Sequence, residues 1–150
     1  PQAVMATGSV LTDKSIEALG DHDSASAVLR WADGRQLLIS NSRRASYGYD
    51  QRVEMHGSLG MAVAENEHPV RIEVATAEGY MRPPLHDFFM TRYIAAYANE
   101  INAFISAVDG ATGGGEADGI PTGIDGLNAL LIAEAALESA NNGRLVIIER

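Results

Sequence analysis

The hydrophobic period of this chain changes at Pro83-Pro84, and that change limits what it can build. Before it, apolar and polar residues alternate. Ala25, Ala27, Leu29 and Trp31 stand against Ser24, Ser26 and Arg30, and Val70, Ile72 and Val74 against Arg71 and Glu73. A period of two is that of a half-buried strand. After it, Met90, Ile94, Tyr97, Ile101, Ile105 and Val108 recur at steps of three and four, which is one face of a helix. Strands first and helices after predict an α+β fold, a largely antiparallel open sheet with helices packed on one face. With 150 residues, 46% of them hydrophobic, the chain suffices for one domain, 1–150, with a real core.

Punctuation residues refine this. Residues 2–11 read as a strand and 12–23 as a polar loop. Asp33-Gly34 supplies a hairpin turn between a strand from Ser24 and its partner over 35–42. A third strand runs through Val53 and Met55, and Gly57-Ser58-Leu59-Gly60 turns it into 61–64. One helix is predicted over 87–108, with Tyr97 carried inward near the middle of its apolar face and Glu100 at the edge. Residues 109–120, containing Gly113-Gly114-Gly115, read as a connector. Thr122 and Asp125 are spaced to cap a second helix that Gly143 stops, and Leu145-Val146-Ile147-Ile148 closes the chain as a strand.

Several functions are disfavoured. The chain has no cysteine, which removes disulfides, thiolate metal sites and cysteine nucleophiles. A net charge of −9 opposes nucleic acid, because phosphate binding needs Lys and Arg. No apolar run approaches the roughly 20 residues of a membrane helix, and a cytoplasmic protein is expected. The glycine-rich connector follows a helix and lacks the spacing of a dinucleotide turn. Asp21-His22-Asp23 would point its side chains to opposite faces, so no metal site is expected. His56, His68 and His86 lack dyad partners, and no serine-hydrolase elbow is present.

One stretch carries more chemistry than folding requires. Read as extended backbone, residues 41–58 place Tyr47, Tyr49 and Gln51 on one face. Two phenols and an amide suit an uncharged, polyhydroxylated ligand. They also suit a tyrosine-rich strand packed in a core. Gly48 between them lets a ligand or another backbone approach closely. Tyr97 is likewise open to two readings, a core residue bonded to a carbonyl or a ligand contact.

The segment Tyr47-Gly48-Tyr49-Asp50-Gln51-Arg52-Val53-Glu54 with Gly57-Ser58-Leu59-Gly60, then Phe88-Phe89-Met90-Thr91-Arg92-Tyr93-Ile94-Ala95-Ala96-Tyr97-Ala98-Asn99-Glu100, then Pro121-Thr122-Gly123-Ile124-Asp125-Gly126-Leu127, together resemble the C-terminal domain of inositol 2-dehydrogenases, in the wider family of glucose-fructose oxidoreductase-like, NAD(P)-dependent sugar dehydrogenases. The resemblance implies a C-terminal substrate-binding and oligomerisation domain of an NAD-dependent inositol (polyol) dehydrogenase. It also implies two polyol contacts, Tyr49 and Tyr97. The family's Rossmann domain, its catalytic Lys in Glu-Lys-Pro and its Asp and His four residues apart have no match here. The only lysine is Lys14. The chain begins with Pro1 and is therefore expected to be a fragment, inactive alone, with no catalytic residue and no NAD of its own. The expected partners are a polyol such as myo-inositol and further copies of the chain, in a homodimer or homotetramer joined through the exposed sheet face, with no nucleic acid and no membrane. The competing readings are an autonomous sugar- or polyol-binding module and a purely structural assembly domain.

Overall fold

The computed structural model describes residues 1–109 and 120–149. The chain divides into two compact units, residues 1–44 with 120–149, and residues 45–109.

The first unit is a four-stranded sheet under one long helix. Strands β1 (Ala3–Ser9), β2 (Ser24–Arg30) and β3 (Gln36–Ser42) follow in sequence, and the closing strand β8 (Val146–Ile147) joins at the far side of β1, giving the order β3-β2-β1-β8. Every pairing is antiparallel. Arg35 N–H donates to the Asp33 carboxylate at 3.1 Å, and Gly34 takes φ +90°, which closes the predicted hairpin. Helix α3 (Gly123–Asn142) starts as its sequence dictates. The Asp125 carboxylate accepts from the Thr122 backbone N–H at 2.7 Å and its hydroxyl at 2.8 Å. These bonds hold the Asp125 carboxyl below the usual carboxylate range. At the other end Gly143 stops the helix in the left-handed region, φ +64°.

The core lies between α3 and one sheet face. Val4, Ala6, Leu29, Ala135 and Ile148 are buried, with Ala27, Trp31, Ile39, Leu131 and Ile132 packed around them. Burying a side chain such as Val4 or Leu29 contributes about 1.5–3 kcal/mol. The opposite face is divided. The register sets Met5, Val28 and Leu38 side by side, all exposed, with exposed Ile147 on β8. Further along the same strands the rows Thr7–Ser26–Ser40 and Ser9–Ser24–Ser42 carry six hydroxyls.

Residues 12–23 are more ordered than a loop. A 3-10 helix, Lys14–Leu19, is capped by Asp13 and ended by Gly20 at φ +67°. Asp23, buried, holds the base of this excursion. Its carboxylate accepts from the N–H groups of Leu11, Thr12 and Asp13 at 2.6–3.0 Å and from the Ser24 hydroxyl at 2.8 Å. Those backbone donors hold its carboxyl far below the ordinary range. The other two members of the acidic trio go elsewhere. Asp21 pairs with Arg43, and the His22 ring lies over Gly8, where an added Cβ would meet it at 2.4 Å.

The second unit holds two hairpins, β4 (Val53–Gly57) with β5 (Gly60–Ala64) and β6 (Val74–Thr76) with β7 (Gly79–Met81), followed by helices α1 (Phe89–Arg92) and α2 (Ile94–Val108). Three expectations change here. The strand read through Val70 and Ile72 begins only at Val74, as a three-residue pairing. The single helix over 87–108 is two, broken at Tyr93, whose φ −109° and ψ 19° leave the helical well. The face of α2 that was to be buried carries no buried residue. The glycine-rich connector falls on 110–119, outside the described residues. The fold class stands as predicted, α+β with antiparallel strands and a helix on one sheet face.

Candidate functional site

The site is built on the second unit, from the segment 47–52 and the helix junction at 88–97. Residues 47–52 do not form a strand, which corrects the reading of Tyr47, Tyr49 and Gln51 as one face. The cause is Gly48, at φ +119° in a turn that its N–H closes on the Ala45 carbonyl at 3.2 Å. The close approach that a glycine permits is used by backbone. A Cβ at Gly48 would sit 2.7 Å from the Leu85 side chain and 2.9 Å from the His86 carbonyl oxygen. Leu85 N–H donates to the Tyr47 carbonyl at 2.9 Å and Tyr49 N–H to the His86 carbonyl at 2.6 Å. This clamp binds the tyrosine segment to the residues that lead into α1.

The two phenols of the segment then separate. Tyr47 donates its hydroxyl to Asp50. Asp50 also accepts Arg52 through two bonds, at 2.8 and 3.0 Å, and the Asn66 amide at 2.6 Å. Arg52 first, then Tyr47 and Asn66, bring the Asp50 carboxyl down to about 2. The same hydrogen bond raises the Tyr47 phenol. Asn66 Oδ1 accepts the Gln51 N–H at 2.8 Å, so Gln51 is held by its backbone. Tyr47, Asp50, Arg52 and Asn66 form a closed, charge-balanced network with a structural task.

Tyr49 belongs to a different group. Its ring meets Tyr93 edge to face, centroids 5.6 Å apart at 88°, and Tyr93 meets Tyr97 the same way at 6.4 Å and 85°. Offset and edge-on arrangements are those the ring quadrupole favours. The two tyrosines singled out from the sequence therefore join one aromatic row, and Tyr93, which sequence reasoning missed, stands between them. The signal was present as a tyrosine four residues before Tyr97, but stepping through Met90, Ile94 and Tyr97 passes over it. Tyr97 is 46% exposed, which corrects its placement on an inward face and leaves its hydroxyl needing no internal partner.

Tyr93 is half-buried, and its hydroxyl is out of contact with water. Burial, then hydrogen bonding with the Tyr49 phenol, raises its pKa above the ordinary value. The Arg92 guanidinium lies 5.5 Å from the Tyr93 ring centroid and reaches Glu67 at 3.3 Å. Three phenol hydroxyls can each donate and accept one hydrogen bond, the chemistry of hydroxyl recognition.

The model of the "Oxidoreductase family, C-terminal alpha/beta domain" matches residues 1–148. An inositol 2-dehydrogenase of Rhizobium meliloti is 55% identical over 148 residues, which are 99% of this chain and 43% of that protein. The crystal structure of a candidate myo-inositol dehydrogenase from Sinorhizobium meliloti 1021 superposes with a TM-score of 0.91 at 56% identity, covering 99% of this chain and 44% of that one. A myo-inositol dehydrogenase structure from Corynebacterium glutamicum gives 0.86 at 37% identity, covering 99% and 44%. The chain spans under half the length of the curated relatives it matches.

Proposed function

The chain belongs to the oxidoreductase family whose C-terminal α/β domain matches its residues 1–148, and on that premise we propose that it is the substrate-binding and oligomerisation domain of an NAD-dependent inositol (polyol) dehydrogenase in the cytoplasm. The observation that carries this reading is the row of phenols in which Tyr93 joins Tyr49 to Tyr97. A cyclic polyol offers a hydroxyl on every ring carbon and no charge, and phenol hydroxyls, which both donate and accept, match it. Relatives named for inositol support the substrate class, with myo-inositol as its representative.

Nothing described fits the dinucleotide. Among the described residues no strand enters a helix through a glycine-rich turn, and Lys14 sits exposed in the 3-10 helix. The reading assigns NAD and the proton-abstracting base to polypeptide outside this chain. These residues would bind and orient the polyol while the hydride acceptor is held elsewhere.

Self-association is assigned to the sheet face away from α3. Met5, Val28, Leu38 and Ile147 form an apolar patch there, with Leu38 73% exposed. A self-complementary contact between copies would remove it from water and give a closed dimer or tetramer. Sedimentation of a Val28→Asp, Leu38→Asp variant is expected to show smaller species than the parent, and an unchanged state would refute this assignment.

The substrate reading is tested in the polypeptide that carries this chain. Tyr49→Phe and Tyr97→Phe are each expected to lower kcat/KM for myo-inositol about fivefold or more, equivalent to about 1 kcal/mol, with little change in thermal midpoint. Unchanged kinetics with a clear fall in midpoint would return both residues to packing. The 150-residue chain alone is expected to produce no NADH from myo-inositol, and measurable turnover would overturn the division of labour.

A further inference from the structure

We infer that β3 is an inner strand in the polypeptide that carries this chain, where residues outside the chain lay a strand along its outer edge and a helix over Leu37 and Ile39. The inference goes beyond the dehydrogenase reading and rests on one part of it, the longer polypeptide. The edge is the first observation. β3 ends the order β3-β2-β1-β8. Trp31 N–H donates to the Arg35 carbonyl at 3.0 Å and Arg43 N–H to the Asp23 carbonyl at 2.8 Å, so at both ends of the ladder the odd-numbered residues of the two strands face each other through hydrogen bonds. The N–H and C=O groups of Gln36, Leu38 and Ser40 therefore point away from β2, and no strand lies beside them among the described residues. An edge left to water is ordinarily very short, or carries charge, proline or a bulge. β8, at the other end of the sheet, has two residues. β3 has seven, all uncharged and paired to β2 without interruption.

The second observation is the part of the helix-bearing face that α3 leaves open. Strands stand about 4.8 Å apart, so a four-stranded sheet spans about 14 Å between its outer strands, whereas a helix with its side chains is about 10 Å wide. One helix covers the sheet only in part. α3 packs on β1 and β8. Leu37 pairs with the core residue Leu29 and shares its face, yet it is 42% exposed, and Ile39 beside it is half-buried. Apolar positions on that face call for a second helix. The occupant follows from both gaps lying on one strand. A second copy pairing β3 to β3 would fill the edge, but its own α3 lies over its own β1 and β8, and Leu37 would stay open. A strand with a helix attached fills both. The Rhizobium meliloti relative has more than half of its length outside the 43% that matches this chain, which is ample for such a unit.

The experiment uses the polypeptide carrying this chain and two readouts. Amide hydrogen exchange at Leu38 and Ser40, whose N–H groups point outward, is expected to be slowed about a hundredfold or more relative to an unprotected amide. Leu37→Asp is expected to lower the thermal midpoint by about 5 °C or more, or to prevent folding, because it sets a carboxylate under the second helix. Rapid exchange at Leu38 and Ser40 would overturn the inference whatever the variant does. Slow exchange with a Leu37→Asp midpoint within about 1 °C of the parent's would also overturn it, since the edge would then be filled by a second copy that brings no helix. Neither readout needs turnover. A polypeptide that gives both expected results but reduces no NAD with any polyol would lose the dehydrogenase reading and keep this one.

Discussion

The Ser139 hydroxyl accepts the backbone N–H of Ala6 at 2.8 Å and donates to the Arg144 carbonyl at 2.6 Å. Strand β8 pairs with β1 at Ala3 and Val4, and beyond them the outer edge of β1 has no strand beside it among the described residues. Ser139, fully buried on α3, stands in for that missing neighbour and ties helix, strand and chain end together. Ser139→Ala leaves a buried donor and a buried acceptor unpaired. A stability loss of about 1–3 kcal/mol is expected, read as a lower midpoint in urea.

Asp23 makes stability depend on acid. Its folded carboxyl lies well below the unfolded value of about 3.9, so its contribution is fully present above that pH. It is lost progressively as the pH falls toward the folded pKa. Asp23→Asn keeps the shape but turns an N–H donor toward the donors of Leu11, Thr12 and Asp13. Thermal midpoints of parent and variant are expected to differ most near neutrality and to converge below about pH 4. A gap independent of pH would show that shape, not charge, holds the turn.

Gly48→Ala places a methyl group within 2.7 Å of Leu85 on a backbone at φ +119°. Two penalties coincide, left-handed strain and a clash with chain that cannot rotate aside. A loss of about 1–3 kcal/mol is expected from either. Hydrogen exchange at Tyr49 and Leu85, whose amides form the clamp, is expected to accelerate.

Tyr47→Phe is the counterpart of the Tyr49 experiment. The Tyr47 hydroxyl is occupied by Asp50, and its removal leaves Arg52 and Asn66 on that carboxylate. A modestly lower thermal midpoint with kcat/KM for myo-inositol within about twofold of the parent is expected. A large kinetic loss would place Tyr47 in the substrate site.

What the sequence disclosed followed from local rules. Alternation around Asp33-Gly34 gave β2 and β3 within a residue, and Thr122, Asp125 and Gly143 bounded α3. Both depend on near neighbours along the chain. The site was half legible. Tyr49 and Tyr97 were reached by resemblance, whereas the faces assigned to them assumed regular backbone. Gly48 at positive φ and the break at Tyr93 removed that regularity. Tyr93 lies one helical step before Tyr97 and was passed over because the stepping ran through Met90 and Ile94 across a helix that is in fact interrupted. Asn66 was equally hidden, since its partner Asp50 is 16 residues away.

The knot at Asp23 leaves the excursion beyond it a lodger rather than a wall. Leu11, Thr12 and Asp13 are fastened to one carboxylate, and Arg43 N–H donates to the Asp23 carbonyl at 2.8 Å, so the strands on either side are anchored below the 3-10 helix. Lys14–Leu19 contributes no buried residue. Insertions and deletions between Lys14 and Gly20 therefore have nowhere to propagate, and this stretch is where kindred sequences have room to drift in length, or where an engineer could graft a tag, while the sheet beneath stays the same.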